Sequence, residues 1–314
     1  MTEKLRYNSI MSARLYKILL ILGMAACAAA VLLFWLAYRA PNRLVVDFLD
    51  AGQGDAILIK APSGQNILID GGPDKSAVKR LGENLPWWDK RIDLMILTHP
   101  HDDHVTGLID VLKRYSVGKI LYTGVTHTAP NYLTWLKLVR DSKTPMIIID
   151  KTQTIKLGQG CELEILYPAK SFLGQTIEDL NQSSIIARLS YGQTKFLLTG
   201  DAGEEVETEL LNRGADISAD VLKVGHHGSQ YSTGQEFLNK VRPKIAVIEA
   251  GKDNQFGHPN LRTIKKLERV GARIYRTDKD GTIEIISDGV SVIASPDAFG
   301  RGETIPQTIN FYPN

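Results

Sequence analysis

Residues 98–104 read Thr98-His99-Pro100-His101-Asp102-Asp103-His104, which places three histidines and two carboxylates within six residues. The preceding run, Leu94-Met95-Ile96-Leu97, is apolar and typical of a buried strand, and residues 105–109 have the pattern of a helix start. Imidazole and carboxylate together are the ligands that zinc and neighbouring divalent metals prefer. We therefore expect a metal centre on this strand-to-helix loop.

The spacing inside the motif indicates two metal positions. His99 and His101 are two residues apart, so an extended backbone turns both rings to the same side, where they can hold one ion. Asp103 and His104 follow the bend and can face a second ion.

Composition narrows the class of protein. The chain has 314 residues, 43% of them hydrophobic and 23% charged, which is typical of a folded protein. Its two cysteines, Cys27 and Cys161, exclude a disulfide framework and a cysteine-rich zinc site. Residues 1–43 hold six of the 37 basic residues and one of the 35 acidic ones. Residues 44–314 therefore carry 31 and 34, a net charge of −3, and lack the overall positive charge of a nucleic-acid binder.

A segment near the N-terminus has the properties of a membrane anchor. Residues 18–38 contain no charge and would reach about 31 Å as a helix, enough for one bilayer crossing. Four basic residues precede this segment and two follow it, which predicts a cytoplasmic N-terminus at residues 1–17 and an extracytoplasmic domain. A cleaved signal peptide is the alternative, but the apolar run continues eleven residues past Cys27, which favours an uncleaved anchor.

Further candidate ligands follow three other apolar strands. Asp201 comes after residues 196–199, where it could bind metal or cap the next helix. His226 and His227 follow residues 221–224, and adjacent side chains on an extended chain point opposite ways, so we expect one of them, with His227 favoured, to bind metal. His258 precedes a helix and could act on the leaving group or hold the second metal.

Strand and helix patterns interleave from residue 44 to residue 293, which predicts a mixed α and β domain around two sheets. Residues 44–69 have the pattern of three strands turning at glycine pairs, an antiparallel meander. The tail from Ser295 shows no core pattern and is expected to be irregular. The predicted organisation is therefore an anchor at 18–38, a domain at 44–294 and an irregular tail at 295–314.

The His-x-His-x-Asp-His pattern resembles the metallo-β-lactamase superfamily. Other stretches are similar to the soluble hydrolase domain of the ComEC competence family: residues 48–56, 70–72, 223–229, 257–259 and 275–281. The resemblance spans about residues 44–290 and implies an αββα four-layer sandwich with the metals at one edge. The resemblance does not extend to the polytopic channel of a DNA-uptake protein, and a single anchor is expected in its place.

The resemblance also implies roles for the site residues. Asp201 would bridge two divalent ions, and Asp103 and Asp201 would orient a metal-bridging hydroxide as catalytic groups. The remaining expected ligands are His99, His101, His104, His226 or His227, and Asn181. Supporting or substrate-contacting roles fall to Asp55, Asp70, Lys223 and Ser229.

Asn181 departs from the superfamily pattern, which normally has a histidine upstream of the bridging aspartate. No histidine lies between His127 and Asp201, and Asn181 stands 20 residues before Asp201. An amide oxygen is a weaker and harder ligand than imidazole, so Zn²⁺ is expected with Mn²⁺ as the alternative. A turn residue without metal contact is the other interpretation of Asn181.

The resulting hypothesis is a membrane-anchored, metal-dependent phosphodiesterase or nuclease linked to DNA processing or uptake. Its expected partners are the bilayer, through residues 18–38, and a phosphodiester substrate such as DNA; no protein partner is deducible. An amide or ester hydrolase of lactam or lactone type is one alternative. A surface binding module with a degenerate metal site is another.

Overall fold

The computed structural model describes the backbone of residues 2–38 and 43–297, and the side chains of residues 15–33 and 43–297. Two compact units divide the chain, Met1–Pro41 and Asn42–Asn314. The first unit contains one helix, α1 (Thr2–Tyr38), in which Leu15–Leu33 is long and apolar enough to cross a membrane. The predicted tail from residue 298 onward lies outside the described residues.

Eight strands form the first sheet of the second unit: β1 (Leu44–Phe48), β2 (Ile57–Lys60), β3 (Asn66–Ile69), β4 (Arg91–Ile96), β5 (Ser116–Tyr122), β6 (Met146–Ile148), β14 (Ile283–Ser287) and β15 (Val292–Pro296). Their order is β15-β14-β1-β2-β3-β4-β5-β6. β1 to β3 form the expected antiparallel meander, and β3 to β6 are parallel. β15 extends two residues past the expected domain boundary at 294, because Ser295 and Pro296 pair with β14.

Seven strands form the second sheet: β7 (Gln153–Gly158), β8 (Cys161–Tyr167), β9 (Ile186–Tyr191), β10 (Thr194–Leu198), β11 (Val221–Lys223), β12 (Ile245–Ile248) and β13 (Arg273–Arg276). β7 to β10 are antiparallel and β10 to β13 are parallel. The sequence patterns did not predict β7, an edge strand in which mostly exposed polar residues alternate with Ile155 and Leu157.

Six helices cover the outer faces of the two sheets. α2 (Ser76–Asn84), α3 (Asp102–Leu112) and α4 (Pro130–Ser142) pack on the first sheet, and α5 (Glu204–Asn212), α6 (Gln235–Val241) and α7 (Leu261–Arg269) pack on the second. A single turn, α8 (Thr277–Asp280), follows β13. The sequence patterns did not predict α6, which is only seven residues long.

Three apolar layers hold these elements together, since alternate strand residues face opposite sides of a sheet. Phe48 and Ile59 meet Leu163 and Phe196 between the two sheets. Outside the first sheet, residues such as Leu68 pack on Trp135 and the other residues of α2 to α4, and a matching layer lies between the second sheet and α5 to α7. The expected αββα sandwich is confirmed.

The strand directions give the domain two distinct edges. β1, β3 and β4 all end at one edge, here called the site edge, where residues 50–55, 70–73 and 98–104 follow them. The opposite edge, here called the entry edge, contains the start of β1 at Leu44, the loop 85–90, and the turns at 61–65, 159–160, 192–193 and 288–291. Contacts from Ser63 to Leu157 and from Gln193 to Gly289 join the turns of the two sheets there.

Candidate metal centre

The helix of the metal motif begins inside the motif itself. The carbonyl of His101 accepts hydrogen bonds from the amides of His104 (3.1 Å) and Val105 (3.0 Å), so α3 starts at Asp102 and not at Val105 as predicted. Asp103 and His104 therefore lie in the first helical turn. The helix approaches the loop after β3 closely, because Gly107 has no side chain and its amide donates to Gly72 (3.0 Å).

His99 and His101 form the first half of the centre. Nε2 of His99 lies 2.9 Å from Nδ1 of His101, so these two ring nitrogens face each other. The Thr98 hydroxyl donates to Asp70 (2.6 Å) and lies 3.1 Å from Nδ1 of His99, which leaves Nε2 of His99 as the free lone pair. Burial lowers the pKa of both histidines, which keeps them in the neutral form that binds metal.

Asp103, His104, Asp201 and His227 form the second half, and their ligand atoms all lie within 4.8 Å of one another. Oδ2 of Asp201 is 3.2 Å from Nε2 of His104 and 3.2 Å from Nε2 of His227. Both Nε2 atoms are buried without a hydrogen-bond partner. Buried polar atoms of this kind normally have a partner, so a cation between them fits the geometry.

The other ring nitrogen of each of these two imidazoles, Nδ1, faces a hydrogen-bond acceptor. Nδ1 of His104 lies 2.8 Å from Asp70, and Nδ1 of His227 lies 2.9 Å from the Glu249 carbonyl and 3.3 Å from Asp55. Such contacts fix the ring orientation and the tautomer of a metal-binding histidine. Asp55 and Asp70 thus contact the histidine rings from the side away from Asp201, and together with His104 they form a second group of possible ligands.

Lys223 is a fully buried cation behind the centre. Its Nζ contacts Asp55, donates to the Gly200 carbonyl (2.9 Å) and lies 3.5 Å from Oδ1 of Asp201. Burial would raise the pKa of Asp55, but Lys223 and His227 lower it below the usual value. One lysine cannot balance the four carboxylates of Asp55, Asp70, Asp103 and Asp201, and divalent cations would supply the missing positive charge.

The two adjacent histidines have different surroundings, although they do not lie on an extended chain as the sequence analysis assumed. Both lie in a tight turn with positive φ, at 48° for His226 and 52° for His227. His227 points into the ligand cluster, whereas the His226 ring lies 5.8 Å from the His258 ring, which stacks on Phe256. In the part of the chain that the structure describes, His226 and His258 stand outside the ligand groups and form a rim of aromatic rings.

Asn181 lies in a short 3₁₀ turn, Leu180–Ser183. Its Oδ1 is buried without a hydrogen-bond partner. Ser184, the residue that follows this turn, contacts the centre directly. Its hydroxyl accepts a hydrogen bond from the amide of Asp201 (3.2 Å). Ser229 makes hydrogen bonds to neighbouring protein groups. Its hydroxyl accepts one from the amide of Tyr231 (3.3 Å), and its carbonyl accepts one from the Thr263 hydroxyl (2.8 Å).

Sequence reasoning missed two groups that hold the ligands. Thr98 links Asp70 to His99, and Glu249 accepts the amide of Ala56 (2.9 Å) while its carbonyl accepts from His227. Glu249 is fully buried, and burial beside Asp55 raises its pKa well above the usual value. The available signal was an acidic residue at the end of the wholly apolar strand β12.

Comparisons with known proteins agree with this architecture. The family profile described as the metallo-β-lactamase superfamily matches residues 49–251. "ComE operon protein 3" of Bacillus subtilis (strain 168) is 32% identical over 256 residues, which cover 76% of this chain and 32% of that protein. "Competence protein ComA" of Neisseria gonorrhoeae is 27% identical over 297 residues, covering 93% of this chain and 38% of that protein. The chain thus spans about a third of the length of the curated relatives that it matches.

A solved structure shares the fold. The metallo hydrolase Igni18 of the archaeon Ignicoccus hospitalis KIN4/I superposes with a TM-score of 0.51 at 17% identity, covering 76% of this chain and 98% of that one. The sandwich, the ligand cluster at its edge and the match over residues 49–251 lead to one conclusion. The chain belongs to the metallo-β-lactamase superfamily and is similar to competence proteins.

Proposed function

We propose that this chain is a membrane-anchored, metal-dependent phosphodiesterase that acts on nucleic acid or a related phosphodiester. The observation that carries the proposal is the ligand arrangement around Oδ2 of Asp201, with His104 and His227 each 3.2 Å away. The complete cluster argues against a binding module with a degenerate site. The similarity to competence proteins favours a phosphodiester over a lactam or lactone.

The donor set fits two divalent ions: His99 and His101 would hold one, and Asp103, His104, His227 and Asp201 would hold the other. Such ions lower the pKa of bound water and polarise a phosphoryl oxygen. Asp103 lies at the mouth of the centre, about one-third exposed, and can accept a hydrogen bond from an attacking water. Lys223 contacts Asp201, and Asp55 contacts His227. These contacts hold the two candidate ligands in place.

The rim of the centre supplies contacts for the substrate. His258 has a buried Nδ1 without a hydrogen-bond partner, and its backbone is fixed by Asn254, whose side chain binds both the amide (3.0 Å) and the carbonyl (2.7 Å) of His258. In the proposal, the half-buried imidazole of His258 donates a hydrogen bond to the oxygen on the leaving side of the phosphodiester.

The membrane anchor is the second component of the proposal. Leu15–Leu33 has the length and apolar character of a transmembrane segment, and the competence relatives are compatible with membrane association. We propose that the domain lies outside the cytoplasm, because four basic residues precede the apolar segment and two follow it.

The test is a hydrolysis screen of the purified full-length chain, loaded with Mn²⁺ or Zn²⁺. We expect metal-dependent cleavage of a small phosphodiester and of DNA, lost in Asp201→Asn and His99→Ala and retained in Asp141→Asn, a half-exposed carboxylate on α4. Cleavage of a lactam or lactone without phosphodiester cleavage would contradict the proposal, as would activity that survives in Asp201→Asn.

A further inference from the structure

The polypeptide enters the domain at the edge remote from the metal centre. Leu44, the first residue of β1, pairs with Ser287 at the end of β14, and Val45 pairs with Lys60. The entry edge therefore holds the first residue of the domain. β4 starts at this edge with Arg91 and leads to His99 eight residues later, which is about 26 Å in an extended strand.

Two tryptophans lie at the tip of a turn on the entry edge. The amide of Asp89 donates to the carbonyl of Pro86 (2.8 Å), so Trp87 and Trp88 occupy the two central positions of a β-turn. Trp87 is 79% exposed and Trp88 48% exposed. Their rings meet edge to face at 5.4 Å, so the pair forms one protruding apolar surface.

Hydrogen bonds hold the turn that carries the two tryptophans. The Asn66 side chain donates to Asp89 (2.8 Å) and to the Arg91 carbonyl (3.1 Å), and the amide of Arg91 donates to Asp89 (3.2 Å). Asn66 begins the neighbouring strand β3, so the turn is joined to the sheet. A rigid turn that presents two large aromatic rings to solvent marks a contact surface.

The chemistry of this edge fits a bilayer surface. Tryptophan is enriched at membrane–water interfaces. Beyond Asp89, the pair is followed by the exposed cations Lys90 and Arg91, of which Arg91 also pairs with Asp93 (2.7 Å). Val290, in another turn of the same edge, is 71% exposed. Five residues separate the end of α1 at Tyr38 from Leu44, and even a fully extended chain spans only about 22 Å over the six steps between them.

We propose that the entry edge rests on the bilayer, with Trp87 and Trp88 among the lipid headgroups and the metal centre facing away from the membrane. This inference rests on the membrane anchor of the proposed function. It follows that substrate reaches the centre from the aqueous side, and that the short linker and the tryptophan turn together fix the orientation of the domain.

Spin labels on the full chain in phospholipid nanodiscs test the placement. In a Cys27→Ser background the other cysteine, Cys161, is buried, so labels attach only at introduced sites. We would compare Trp87→Cys on the entry edge, Phe256→Cys at the rim of the centre and Val31→Cys within α1. Power saturation measures collisions of each label with oxygen, which concentrates in lipid, and with a water-soluble nickel chelate.

The expected result is strong oxygen access at position 31, strong nickel access at position 256, and intermediate access to both at position 87. Equal profiles at positions 87 and 256 would overturn the inference. Protection of position 87 from both reagents would also overturn it and would indicate a protein partner or a second copy of the chain. Nickel access at position 31 would instead contradict the anchor, and with it the placement of the edge.

Intrinsic fluorescence provides a second readout that retains both tryptophans. The chain has four tryptophans, and Trp135 is fully buried, so a Trp35→Phe variant leaves Trp87 and Trp88 as the lipid-accessible emitters. Brominated lipids should quench this variant, and the quenching should be lost on Trp87→Phe with Trp88→Phe. Equal quenching with and without the pair would contradict the inference.

Discussion

The two carboxylate oxygens of Asp201 contact different groups. Oδ2 is shared by His104 and His227 at 3.2 Å each, whereas Oδ1 lies 3.5 Å from the buried ammonium of Lys223. Burial would raise the pKa of Asp201, but the neighbouring His227 and His104 lower it well below the usual value. The carboxylate is therefore ionised and oriented, with one oxygen directed at the space between the two sets of ligands.

Asn181 stands where the sequence comparison with the superfamily pattern leads us to expect a histidine ligand. Its Oδ1 is buried and has no donor, as expected of an oxygen available to a cation. As a neutral oxygen ligand beside two imidazoles, it would make the first metal position weaker for Zn²⁺ and more tolerant of Mn²⁺.

Replacing Asn181 with histidine should strengthen zinc binding at the first position. We expect Asn181→His to raise zinc affinity there on the order of tenfold, the scale on which changes around a metal site act. Metal titration with competing chelators measures this, with Asn212→His, at the exposed end of α5, as the control. Unchanged affinities for both Zn²⁺ and Mn²⁺ would show that Asn181 is not a ligand.

Helix α3 reaches its position because two glycines allow close contact with the loop after β3. A Cβ at Gly107 would overlap the Gly71 carbonyl, and a Cβ at Gly71 would lie 2.5 Å from the amide nitrogen of Leu108. The same approach brings His104 to within 2.8 Å of Asp70. The packing of one helix therefore sets the orientation of one metal ligand.

Gly107→Ala should separate α3 from this loop. We expect a loss of about 1–3 kcal/mol of stability from overpacking, together with weaker metal binding as His104 loses Asp70. Gly82→Ala in α2 is the matched control, since a Cβ there meets nothing within 4 Å, and it should be neutral or stabilising by up to about 1 kcal/mol. Denaturant unfolding and metal titration measure both effects, and equal stability of the two variants would contradict this account of α3.

Glu207 of α5 holds the loop that follows His227. Its carboxylate accepts the amides of Thr233 (2.5 Å) and Gly234 (2.8 Å), and burial raises its pKa from 4.5 to about 7. Because the folded state binds this proton more tightly than the unfolded chain, the contribution of Glu207 favours folding at low pH. That contribution is lost as the pH rises from about 4.5 to 7.

Glu207→Gln should remove this pH dependence. The two pKa values imply that the wild type loses about 3 kcal/mol relative to the variant between pH 4.5 and pH 8. Urea unfolding of both metal-free proteins across that range measures the difference. A constant difference in unfolding free energy at all pH values would contradict the assignment.

At the scale of the whole molecule, the metal centre is assembled from the ends of strands in both sheets. Apolar runs that end in His99, Asp201 and His227 were visible in the sequence, because buried strands have a continuous apolar pattern. The resemblance implied a supporting role for Asp70 but not which ring it would contact, and Glu249 was not identified. Asp70 lies 34 residues from His104, and Glu249 lies 22 residues from His227, and no local pattern encodes such pairs.

The failure of the sequence patterns to predict two elements also has a local explanation. β7 lies at the edge of its sheet and α6 is only seven residues long, so neither has enough apolar residues to give a clear period. The start of α3 was placed too late because its first turn is built from polar ligands. An apolar pattern is therefore absent from the first turn of α3.

Anomalous diffraction from crystals grown with Mn²⁺ or Zn²⁺ tests the central claim, a two-metal centre around Asp201, most directly. The account predicts two peaks about 3.5–4 Å apart, one between His99 and His101 and one among Asp103, His104 and His227, with Asp201 in contact with both. A single peak, or peaks elsewhere such as between Asp55 and Asp70, would contradict it.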